Sequence, residues 1–119
     1  MRYMLLIYSR EDESATPGEI QEVATAHRAV MDEAGRRGIF CAADPLAPTS
    51  TATTVRVDGA NVLLTDGPFA ETKEQLAGYY ILDCQDLDEA IEWAAKIPTS
   101  CQGAAGCVEV RPIRGVHEV

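Results

Sequence analysis

Two short polar boxes constrain this chain more than any other feature: Thr16-Pro17-Gly18-Glu19 and Asp86-Leu87-Asp88-Glu89. Each offers an oxygen-bearing N-cap with a glutamate three residues later, the pattern that satisfies the free N–H groups opening a helix. Each also follows an apolar run, Arg2–Tyr8 (RYMLLIY) and Gly78–Cys84 (GYYILDC). Such runs, rich in branched and aromatic residues, read as strands. The chain therefore contains two units of strand followed by helix. Proline at the first helical position predicts a first helix over Pro17–Arg37, stopped by Gly38. Its apolar stripe is Ile20, Val23, Ala24, Val30, Met31 and Ala34. The second helix is predicted to run to Ile97, before Pro98, with a stripe of Leu87, Ala90, Ile91 and Ala94 and with Trp93 at its edge.

Each helix leads back to an apolar run, Ile39–Leu46 and Cys107–Ile113. Between the two units, ATTVRV and NVLLT flank Asp58-Gly59-Ala60, a hairpin turn with glycine available for positive φ. The expected fold is one α+β domain over residues 1–119: a ferredoxin-like antiparallel sheet with two helices on one face. GYYILDC carries apolar residues in both alternating registers, Tyr79 and Ile81 on one face, Tyr80 and Leu82 on the other. Leaving an apolar sheet face to water costs about 25 cal/mol per Å². A homodimer joined through the sheet faces is therefore expected.

Composition removes several classes of function. The net charge is −9, from 19 acidic and 10 basic residues. That balance argues against nucleic acid and against anionic membrane surfaces. No run reaches the roughly 20 apolar residues of a membrane span. The N-terminus lacks a basic region and a cleavage site, so a cytoplasmic location is expected. The four cysteines form no C-x-x-C pair and lie apart from the histidines, so no metal site is expected. Cys84 reads as a small core residue; Cys101 and Cys107 flank QGAAG, where a reducing cytosol disfavours a disulfide. No G-x-G-x-x-G, P-loop, G-x-S-x-G or H-E-x-x-H pattern occurs, and no cofactor is expected.

His27 lies in the middle of the first helix's apolar stripe, seven residues after Ile20 and four before Met31. It reads either as a core histidine bonded to a backbone carbonyl or as a general acid or base. Asp66, before Gly67-Pro68, is either an Asx-turn residue or a carboxylate serving His27. Glu71, Thr72, Lys73 and Glu74 read as a solvated turn, with Glu71 and Gln75 at helical spacing, or as ligand contacts. Lys73 alone falls short of an anion site. Glu109 and Arg111 alternate with valines and share one sheet face. They read as an interface salt bridge or as a clamp in which the arginine fixes a ligand carboxylate.

DGPFAETKEQLAGYYILDCQDLDEAIEWAAKIP and VEVRPI closely resemble the YCII-related family, in its DGPF-domain branch. MRYMLLIY and ADPLAPTSTATTVRV fit the same branch. The resemblance implies a ferredoxin-like dimeric α/β barrel. It leaves the biochemistry open, because most members of the branch have no assigned activity. Their genes often neighbour those of extracytoplasmic-function sigma factors, which implies a sigma-factor-type protein partner. In the wider family a His–Asp pair has been proposed as catalytic, and one branch eliminates chloride from a chlorinated hydroxyquinol. His27 resembles that histidine. Asp44 in CAADPL and Asp66 both qualify as the aspartate. Two functions stay open on these grounds. One is an acid–base enzyme of lyase or isomerase type on a small polar organic molecule. The other is a non-enzymatic dimer that binds a ligand or a sigma-factor-type partner.

Overall fold

A computed structural model describes residues 1–11, 14–99 and 106–115. Among these residues, six strands and two α-helices occur in the order β1 (Arg2–Ser9), α1 (Pro17–Arg36), β2 (Phe40–Pro45), β3 (Thr53–Asp58), β4 (Asn61–Asp66), β5 (Gln75–Asp83), α2 (Leu87–Ala94) and β6 (Gly106–Pro112). A one-turn 3-10 helix, Thr49–Thr51, precedes β3. The fold is α+β. Its main sheet is antiparallel with strand order β2-β5-β1-β6, compatible with the split β-α-β arrangement.

Rows across this sheet define the core. Tyr3 pairs with Leu82 and Pro112, and Leu5 pairs with Tyr80 and Val110. Tyr3, Leu5, Ile7, Tyr80 and Leu82 are all buried, in one cluster with Val30 and Ala34 of α1 and with Ala90, Trp93 and Ile97. Cys84 is fully buried in the same cluster. The opposite face carries Met4, Leu6, Tyr8, Tyr79 and Ile81, and no helix among the described residues covers it.

Both helices start where their caps stand. Thr16 Oγ1 accepts from Glu19 N–H at 3.1 Å, and Asp86 Oδ1 accepts from Glu89 N–H at 2.9 Å. α1 ends before Gly38, whose φ of 73° suits a residue without a side chain. α2 ends at Ala94, earlier than the spacing predicts. Its chain continues with tighter i to i−3 bonds, Lys96 N–H to Trp93 O and Ile97 N–H to Ala94 O. The buried face also differs from the expected stripe. Trp93 is buried, whereas Leu87 and Ile91 are about half exposed, at 49% and 50%. The helix turns inward the side chain with the largest apolar area, and Ala90 lets it approach. Lys96 and Arg37 place cations 4.4 and 5.9 Å from the Trp93 ring centre. On α1, Ile20 and Ala24 likewise lie outside the buried stripe and are exposed, while Val23 and His27 face a cavity.

The hairpin β3–β4 does not join the main sheet. It forms a separate two-stranded sheet. Pro45 ends β2 and Pro48 opens the 3-10 turn, so the chain leaves the sheet before β3 begins. A two-residue turn joins the strands, with Gly59 at φ 59° in the first position. The helical turn considered for Glu71–Gln75 is absent, since β5 already begins at Gln75. The Gln75 side chain instead donates to Ala70 O and Thr72 O at 3.1 and 3.2 Å, holding the connection together. Cys101 and the tail beyond Gly115 lie outside the described residues.

Candidate functional site

The core is filled row by row until Gly78. Where Tyr3–Leu82 and Leu5–Tyr80 occupy the space under the helices, the next row pairs Ile7 with Gly78. Gly78 leaves that level open, and it must be glycine. A Cβ at Gly78 would stand 2.9 Å from Asp44 O and 3.3 Å from Pro45 Cα, so β2 passes too close for any side chain. The result is a cavity of about 290 Å³ between α1 and strands β1, β2 and β5. That volume lies at the small end of ligand pockets, roughly 300–1,000 Å³. Val23, His27 and Met31 roof it from α1, and Ile7, Gly78 and Tyr80 form its floor. Arg10 and Glu11 stand at its border. The Glu11 carboxylate accepts from Thr49 N–H at 2.7 Å and from Thr49 Oγ1 at 2.9 Å, which ties the segment after β1 to the 3-10 turn.

His27 is half-buried, and its Nδ1 lies 2.8 Å from the Tyr80 hydroxyl. The two rings are tilted by 30° with centres 5.9 Å apart. The same hydroxyl also reaches His27 O at 3.4 Å. Two proton arrangements follow. Tyr80 can donate to Nδ1, or it can donate to the carbonyl while Nδ1–H donates to the tyrosine oxygen. The second leaves Nε2 with a free lone pair. Burial pushes the His27 pKa below its ordinary value and pushes Tyr80 up to about 12. At neutral pH the pair is therefore uncharged: a neutral imidazole held by a neutral phenol.

The other residues singled out from the sequence are spread over the molecule. Asp44 borders the cavity, and its Oδ2 accepts from the Tyr79 hydroxyl at 2.7 Å. That bond raises the Tyr79 pKa, with a smaller contribution from desolvation. Asp66 closes β4 opposite Thr53, is exposed, and does not line the cavity. Its carboxylate makes no hydrogen bond among the described residues. Glu71 and Lys73 are exposed in the connection between β4 and β5. Glu109 and Arg111 share the uncovered sheet face; Glu109 accepts from Tyr8 at 3.4 Å, and Arg111 stands opposite Met4. Among the described residues, Glu109 and Arg111 form no ion pair with each other. The structure thus places His27 in the cavity and Asp44 at its border, with the Asp44 carboxylate on the Tyr79 face of the sheet, and leaves Asp66, Glu71, Lys73, Glu109 and Arg111 outside it.

Tyr80 and Gly78 are site residues that the sequence reading passed over. A signal for Tyr80 existed. In Tyr79-Tyr80 one ring must face the helices, and the face occupied by Leu82 is the helix-covered one. No group of three or more His, Cys, Asp or Glu among the described residues is placed to hold a metal. Cys84 is buried, and burial pushes its thiol up to about 11. No helix in the described residues is long and apolar enough to cross a membrane.

Residues 1–116 match the YCII-related domain. An uncharacterized protein of Rhizobium meliloti (strain 1021) is 38% identical over 117 residues, which cover 95% of this chain and 92% of that relative. Because the match runs from β1 through β6 and takes in the cavity and the hairpin together, the chain belongs to the YCII-related family.

Proposed function

We propose that the chain is a small acid–base enzyme, of lyase or isomerase type, acting on a compact and largely apolar molecule held beneath α1. The single observation that carries this reading is the His27–Tyr80 pair in the wall of a cavity lined mainly by apolar side chains. A base poised to work near neutrality must be unprotonated there, and burial keeps His27 in that state. Tyr80 orients the ring, a task that an aspartate performs in many other sites. Donation from Nδ1–H to Tyr80 presents Nε2 as the proton acceptor. The Asp44 carboxylate is held by Tyr79 on the opposite sheet face, so proton transfer inside the cavity rests on His27. The cavity suits a molecule of about ten to a dozen heavy atoms with one acidic C–H or O–H, such as a small phenol or enol acid.

The test uses the whole chain and a panel of small phenols, hydroxybenzoates and enol acids. Ligands that shift the imidazole resonances of His27 are selected by NMR. Their acidic C–H positions are then followed for deuterium uptake in D2O. The expected result is uptake accelerated by wild type and slowed about 100- to 10,000-fold in His27→Gln, with binding retained. Binding without uptake, or uptake undiminished in His27→Gln, would overturn the catalytic reading.

A further inference from the structure

The β3–β4 hairpin is amphipathic, yet among the described residues no strand or helix packs on its apolar face. Register places Val55 beside Leu64 and Val57 beside Val62, and all four project from one face. They are 57%, 69%, 71% and 63% exposed, respectively. The other face carries Thr54 with Thr65, Arg56 with Leu63, and Asp58 with Asn61. This alternation is the pattern of a strand pair with one buried face and one wet face. The four-stranded sheet takes up neither strand. Just beyond β4, Phe69 adds a ring that is 80% exposed.

A lone two-stranded hairpin is marginally stable in water and needs a third surface. We propose that this hairpin is an intersubunit arm whose Val55, Val57, Val62 and Leu64 face lies on a second copy of the chain, each copy giving its arm to the other. The area supports a second copy as the occupant. These four residues expose on the order of 450 Å², over half of the roughly 800 Å² that each partner gives to a standard interface. The same chain also carries a second uncovered apolar surface, the sheet face of Met4, Leu6 and Ile81. A two-fold pair covers two arms and two sheet faces in one step, at a stoichiometry that is always available. The arm's base is built to hold it in place. Gly67 N–H donates to Ala52 O at 2.7 Å, and Thr54 Oγ1 donates to Gly67 O at 2.8 Å.

The closed base also supplies a clean test. Ala52 and Gly67 are already bonded, so Thr53–Asp66 can be replaced by Gly-Gly without opening the core. Sedimentation equilibrium is run on wild type, on this armless chain and on the double substitution Val57→Glu with Leu64→Glu. A cooperative urea transition checks that each chain is folded. The expected result is a wild-type dimer at micromolar concentration, with dissociation constants raised at least about 100-fold in both variants. If the glutamates prevent folding, the armless chain decides. A monomeric wild type at high micromolar concentration, or variants that pair as tightly as wild type, would overturn the proposal.

Discussion

His27 shows what a residue type and its position reveal and what they omit. Spacing along α1 put the imidazole on the inward face, and that face left a backbone carbonyl or an aspartate open as its partner. The partner is Tyr80, because a phenol loses far less than a carboxylate on leaving water. The difference has a measurable sign. The folded state holds the His27 pKa below its ordinary value, so the unfolded chain takes up the proton first as pH falls. Stability that is complete above the unfolded value of about 6.5 should therefore decline as pH drops through it. Carboxylates titrate at lower pH and affect wild type and variant alike. Urea unfolding at pH 7.5, 6.5 and 5.5 should show wild type losing more stability on acidification than His27→Gln does. Equal losses would mean that His27 is solvated as well in the folded state as in the unfolded one.

At the scale of elements, legibility followed local chemistry. Helix starts were readable because Thr16 and Asp86 bond to N–H groups three residues away, a contact internal to the sequence. The hairpin turn at Gly59 was readable for the same reason. The inward face of α2 was not. A helix of two turns carries too few apolar positions to fix its rotation, and burial of Trp93 decides it through tertiary packing. The cavity was equally illegible. It arises from a missing side chain at Gly78 and from how closely β2 passes, and neither has a local signal. Gly78→Ala tests that account. A Cβ 2.9 Å from a backbone oxygen forces β2 and β5 apart, and such overpacking costs about 1–3 kcal/mol. Urea unfolding should show that loss, together with weaker binding of any ligand that perturbs His27. An alanine variant as stable as wild type would mean that β2 yields freely at Asp44 and Pro45.

At the scale of the whole molecule, a single copy is less compact than its length allows. Its radius of gyration is 16.2 Å, against about 13–14 Å for a chain of this size packed into one globule. The hairpin and the uncovered sheet face both present apolar surface that folding of one copy leaves wet. If a second copy covers it, unfolding is coupled to dissociation, and stability rises with protein concentration. The charge gives this association a distinctive response to salt. Each copy carries −9, so pairing brings like charges together while it buries apolar groups. Salt screens that repulsion and leaves the apolar contact intact. Raising sodium chloride should therefore tighten the wild-type dimer and move its urea midpoint upward. The midpoint should also climb with protein concentration in wild type and stay fixed in the armless chain. An association that salt weakens would point to ion pairs as its main support, and the apolar face of Val55, Val57, Val62 and Leu64 would then not be what holds the copies together.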